Sequence, residues 1–196
     1  MKTKSLKSIV ILAVLFVFST ACKKDAANST VDCSTSQNRD IENFFNALTS
    51  GSTYEIYNNM DLLTHEYTFT TSVNIQICGF GYKSADPSLS YEIKLVDSNN
   101  NVIYSGNHSF SNTSYDYISI PPVTLSPGTY TLSRTLLNPS SVNDQVGPVT
   151  RRTDFQAMDF PKTVGNITFV SSNFYGAGGP VPDYGIPNIY FEYIEL

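Results

Sequence analysis

The sequence predicts an all-β fold, an antiparallel β-sandwich or jelly roll with one short N-terminal helix. Three observations carry that prediction. Apolar and polar side chains alternate with period two over long stretches beyond residue 54, as in a strand with one buried face. Prolines and glycines punctuate these runs at short intervals, and no helix-length segments lie between them, which disfavours a parallel α/β sheet. Charged residues make up only 15% of the chain, and its polarity comes from Ser, Thr, Asn and Tyr, which suit strands and turns.

The chain starts with a segment that is not part of this pattern. Lys2, Lys4 and Lys7 precede an apolar run from Ile9 to Phe18 that is ten residues long. A bilayer span takes about 20 such residues, so the run reads as a signal peptide over residues 1–21. It ends in Ser19-Thr20-Ala21-Cys22. This ending resembles the lipobox of bacterial lipoproteins, with Ser19 where Leu is commoner. The resemblance implies that Cys22 is lipidated and becomes the mature N-terminus, and that its acyl chains hold the protein to a membrane of the cell envelope. Lys23-Lys24-Asp25 does not resolve which, and the outer membrane or cell surface is expected ahead of the inner membrane. An ordinary signal peptide with an incidental cysteine is the alternative. From Cys22 onward the chain has nine basic and 17 acidic side chains, a net charge of −8. Together with −5 for the whole chain, this excludes a nucleic-acid binder that works through a general positive field.

Residues 22–37 contain Ala, Asn, Ser, Thr and Asp with few apolar side chains, and read as a flexible tether. The folded domain is expected over 38–196. Ile41, Phe44, Phe45 and Leu48 are spaced as one face of a helix running from Asp40 to Ser50, with Gly51 as its stop. Tyr67, Phe69, Thr71, Val73, Ile75 and Ile77 then alternate with polar neighbours, predicting one strand bent near Thr71-Ser72. Tyr91, Ile93 and Leu95 form a strand that turns at Asp97-Ser98-Asn99-Asn100-Asn101 and returns through Val102-Ile103-Tyr104 as a hairpin. Further strands are expected at 108–111, 115–120, 129–135, 167–171 and 189–194, with Pro121-Pro122 and Pro127-Gly128 each ending one. Residues 136–163 read as irregular.

Three segments carry a second resemblance: Val73 to Tyr82 with Cys78-Gly79-Phe80-Gly81-Tyr82, the hairpin from Tyr91 to Ser105, and Tyr117-Ile118-Ser119-Ile120 leading into Val123-Thr124-Leu125-Ser126-Pro127-Gly128-Thr129-Tyr130. These resemble an uncharacterised family of bacterial extracytoplasmic β-sandwich domains, jelly-roll modules found beside carbohydrate-active or cell-surface domains. The resemblance covers about residues 65–135 and implies a fold and a location, with no activity attached.

The chain is poor in catalytic chemistry. It has two histidines, three cysteines and no tryptophan. His65 and His108 lie in or beside strand patterns, and no G-x-S-x-G elbow accompanies them, so both read as structural. No histidines or cysteines cluster as zinc ligands, and no D-x-D-x-D-G calcium loop is present. Glu66, Glu92, Asp116, Asp154, Asp159 and Asp183 could supply a glycosidase pair at ~5–9.5 Å, but carboxylates on strands usually face solvent. The chain therefore reads as a non-enzyme without cofactor or metal. Cys33 and Cys78 remain in an oxidising space. They either pair, closing a loop of about 45 residues, or persist as a solvated and a buried thiol.

The strongest candidate for binding is the loop running from Phe174 to Gly185, in which Tyr175 and Tyr184 flank Gly176, Gly178 and Gly179. Tyrosines beside a glycine-rich loop can stack on sugar rings, and Asp183 with Arg151 or Arg152 could hydrogen-bond hydroxyls. The opposing reading is a loop that only closes the sandwich. The function expected is thus a lipid-anchored, non-catalytic binding module for a glycan; the alternative is a structural or adhesive surface protein that contacts other surface proteins.

Overall fold

The computed structural model describes residues 33, 38–58, 62–139, 147–176 and 178–196. The expected signal peptide, Cys22 and most of the expected tether lie outside them. One helix and thirteen strands follow: α1 Asp40–Thr49, β1 Tyr54–Tyr57, β2 Thr64–Thr71, β3 Ile75–Tyr82, β4 Tyr91–Asp97, β5 Val102–His108, β6 Asp116–Leu125, β7 Gly128–Leu136, β8 Val149–Arg152, β9 Lys162–Val164, β10 Ile167–Tyr175, β11 Val181–Pro182, β12 Gly185–Pro187 and β13 Tyr190–Glu195. The fold is an all-β sandwich, and all its strand pairs are antiparallel.

The large sheet runs β11-β10-β2-β7-β4-β5, with β9 also on β10. Its strands alternate as the sequence predicts. In β2, His65, Tyr67, Phe69 and Thr71 are buried, while Thr64, Glu66, Thr68 and Thr70 face outward. The outer face is rich in hydroxyls, and Thr64–Thr135 and Thr68–Thr131 bond across β2 and β7 at 2.9 and 3.1 Å. The inner face meets the small sheet, β13-β3-β6, through a core of aromatic rings. Phe69 lies 5.1 Å from Phe191, Tyr82 lies 5.1 Å from Tyr91, and Phe80 lies 5.2 Å from Tyr104. Burying each such ring contributes about 1.5–3 kcal/mol.

β3 is buried on both faces. Its outer side accepts the Tyr117 ring over Gly81, and the Tyr117 hydroxyl donates to Glu42 of α1 at 2.7 Å. Arg39 stacks on that ring at 4.2 Å and donates to Glu192 at 2.7 Å. A disulfide joins Cys78 of β3 to Cys33, with the sulfurs 2.07 Å apart. The helix docks by the phenylalanines its periodicity singles out: Phe44 stacks on Phe169 at 5.3 Å, and Phe45 lies 5.2 Å from Tyr190.

Four sequence expectations are corrected. The stretch from Tyr67 to Ile77 is two strands rather than one: β2 ends at Thr71, and the chain crosses at Ser72-Val73-Asn74 into β3 of the other sheet. Alternation continues across the corner because both strands face the same core. Pro121-Pro122 do not end a strand, since β6 runs through them. β6 is an edge strand, and the prolines sit at a register shift opposite Cys78, where no ladder donor is needed. The strand expected at 108–111 is only the end of β5 at His108, after which Phe110 turns into the core. Residues 136–163 hold β8 and the start of β9, both too short to show a period.

Candidate functional site

A third sheet, β1-β8-β12, has its own ladder and packs against the large sheet, with Ile186 in the main core and the Ser172 hydroxyl of β10 donating to the Gly185 carbonyl. Arg151 lies at its centre, opposite Glu55 of β1 on one side and Gly185 of β12 on the other. A side chain at Gly185 would come within 3.2 Å of the Arg151 Cβ and 2.8 Å of the Thr150 carbonyl, so only glycine leaves this space open. The guanidinium lies 3.5 Å above the Tyr57 ring, 4.6 Å from Phe155 and 5.6 Å from Tyr184. It pairs with Glu55 at 2.7 Å and donates to the Tyr184 phenol oxygen. The arginine is thus buried within a ring of aromatics and fully engaged by neutral and anionic acceptors.

Among the described residues Phe155 is the most exposed of the large apolar side chains, at 66%. It is also held at a left-handed φ of 60°. For a bulky residue that conformation costs about 1–2 kcal/mol, and it places the ring over Arg151 at the tip of the turn after β8. Around this turn the charges balance locally. Arg152 grips Asp154 at 2.5 Å, and Lys162 holds Asp159 at 2.8 Å, with the Tyr54 hydroxyl donating to Asp159 at 2.6 Å. These donors hold the Asp154 and Asp159 carboxyls down at about 2.

The structure divides the five ligand-binding candidates. Arg151 and Tyr184 come together. Arg152 follows Arg151 in the same strand, so its side chain points to the opposite face, beside Tyr54 and Asp154. Asp183 turns the chain rather than facing a ligand: at φ 54° its carboxylate accepts the Ser172 N–H at 2.9 Å, and its carbonyl accepts that of Met158 at 2.7 Å. Tyr175 lies on the outer face of the large sheet, donating to Glu66 at 2.8 Å. Phe174, against which Tyr184 packs at 6.1 Å, points the other way. Sequence reasoning missed Tyr57, Glu55 and Phe155. An aromatic isolated among Arg, Thr, Asp and Gln was the only signal for Phe155, and nothing local announced a β1–β8 pairing across about a hundred residues.

The remaining polar groups have structural surroundings. His65 is buried against Arg134, whose Nη2 lies 2.6 and 2.8 Å from the two ring nitrogens. His108 meets the Tyr104 hydroxyl at 2.7 Å. A separate cavity of about 140 Å3 is lined by Asn58, Lys83, Ser84, Ala85, Asn112, Gly147 and Pro148. Among the described residues no three His, Cys, Asp or Glu side chains gather as metal ligands would, and no helix is long and apolar enough to cross a membrane. Comparison with protein-family models and with curated proteins finds no match to this chain in either.

Proposed function

We propose that this protein is a lipid-anchored, non-catalytic binding module of the bacterial cell envelope that holds a neutral glycan on the Phe155 platform. The observation that carries the reading is Phe155 itself, two-thirds exposed and held in a costly backbone conformation over a buried arginine. A sugar ring stacks on such a face, while Tyr57, Glu55 and the Tyr184 hydroxyl offer flanking contacts to ring hydroxyls. Neutral sugars fit better than acidic ones, because Arg151 and Arg152 are already paired with Glu55 and Asp154. The anchor would be acyl chains on Cys22, with the segment from Lys23 to Asp32 between the lipid and the Cys33–Cys78 crosslink.

The test is a glycan array followed by calorimetric titration of the best neutral oligosaccharide. Phe155→Ala is expected to weaken binding about tenfold, the scale of one lost aromatic contact. Wild-type protein that binds no glycan, or a variant that binds as well as wild type, overturns the reading. Labelling cells with an alkynyl fatty acid tests the anchor separately: the label should be lost in Cys22→Ala. A structural or adhesive role is the second reading, and the observation that favours it is the unguarded edge strand β5.

A further inference from the structure

Sheet edges present unpaired N–H and C=O groups that attract other strands, and proteins usually guard them with prolines, charges, short strands or covering segments. Among the described residues, every edge but one is guarded in this way. The free side of β13 carries the Asn38 bridge, with Asn38 N–H donating to the Tyr193 carbonyl at 2.9 Å. β6 holds Pro121 and Pro122. β9, β11 and β12 are two or three residues long, and β11 and β12 each end in proline. β1 has four residues and includes Glu55. By contrast β5, the far edge of the large sheet, has seven residues with no proline, lysine, arginine or carboxylate among them. Its register with β4 shifts only near its start, leaving residues 104–108 regular.

We propose that β5 seats a second copy of this chain, paired antiparallel about a twofold axis at Gly106. The argument for a second copy is the self-complementarity of the segment Tyr104-Ser105-Gly106-Asn107-His108. About that axis Tyr104 stands opposite His108 of the other copy, Ser105 opposite Asn107, and Gly106 opposite itself. Phenol and imidazole are already matched within one chain, where Tyr104 Oη lies 2.7 Å from His108 Nε2 across Gly106. Hydroxyl and amide match in the same sense. β5 holds no carboxylate, so none meets another along the paired strands, although the chain repels its own copies at net charge −5. The pairing would join the two large sheets into one, and it is independent of the Phe155 platform.

Sedimentation of the full chain over a broad concentration range tests this. A reversible dimer is expected, and Ser105→Lys with Asn107→Lys sets lysine opposite lysine at two places and raises its dissociation constant about tenfold. Both positions are exposed, so the thermal midpoint of the monomer should stay unchanged. As a check on register, Ser105→Cys mixed with Asn107→Cys should crosslink more with a short bismaleimide than either variant alone. A monomer at every concentration, a dimer indifferent to the lysines, or equal crosslinking in unmixed samples overturns the proposal.

Discussion

Arg134 and His65 form the most unusual pair in the molecule. They are register partners on the core face of β7 and β2, and both are fully buried. The guanidinium is balanced by the neutral imidazole, the Leu63 carbonyl at 3.2 Å, and the rings of Tyr91 and Tyr82 at 5.5 and 5.8 Å, with no carboxylate beside it among the described residues. Burial first, and then the Arg134 charge, push the His65 pKa well below 6.5. In the unfolded chain the same histidine takes a proton near pH 6.5. Below that value the unfolded state therefore binds a proton that the native state refuses, and stability falls by about 1.4 kcal/mol per pH unit. His108, lowered by partial burial, adds to the same trend. Urea unfolding at pH 7.5, 6.0 and 5.0 should show this loss before the exposed aspartates protonate. His65→Gln, which keeps an acceptor for Arg134, should flatten the slope; a slope unchanged by the substitution would refute the assignment.

At the scale of the element, β3 shows how a strand buried on both sides is built. Phe80 and Tyr82 fill the core face, and Gly79 and Gly81 leave room on the other. A side chain at Gly81 would meet the Tyr117 ring at 2.5–2.9 Å, and one at Gly79 would meet the Ile118 carbonyl at 2.7 Å. Gly81→Ala should therefore cost about 1–3 kcal/mol, the range for overpacking. At Gly128 the nearest atom, the Tyr130 hydroxyl, lies at an ordinary 3.5 Å, so Gly128→Ala is the matched control and should be nearly neutral. Thermal unfolding of the two variants side by side decides the point. The turn between β4 and β5 works by local chemistry instead. Asp97 accepts from the Asn101 side-chain amide at 2.8 Å and from the backbone N–H groups of Asn101 and Asn99 at 2.9 and 2.8 Å, which lowers its pKa, and Asn100 sits at φ 63°. This turn was legible in the sequence because an Asx turn needs only its own few residues.

For the whole molecule, the Cys33–Cys78 disulfide ties the N-terminal segment to the central strand of the small sheet, across 45 residues. Crosslinking a loop of that size restricts the unfolded chain, so Cys33→Ser with Cys78→Ser should lower the unfolding free energy by about 2–4 kcal/mol. Denaturant titration of the variant against wild type measures it, and an unchanged midpoint would mean that the bond adds nothing to the fold. Sequence reasoning reached the two cysteines but left their pairing open. Whether their Cα atoms approach to 5.7 Å is a matter of tertiary placement.

The sequence by itself determined the fold class, the helix at Asp40 and the long strands, because period-two and period-3.6 burial are properties of neighbouring residues. It could not separate β2 from β3, since two strands facing one core share one alternation across the corner. It also could not find β1, β8 and β12, which are too short for a period and pair only through long-range contacts, about a hundred residues apart for β1 with β8. Of the candidate site, Arg151 and Tyr184 were legible as residue types able to bind a sugar. Tertiary structure alone decided that Tyr57 and Phe155 surround that arginine and that Asp183 is used up by a turn. A binding surface is a juxtaposition of distant segments, and no local pattern encodes which segments meet.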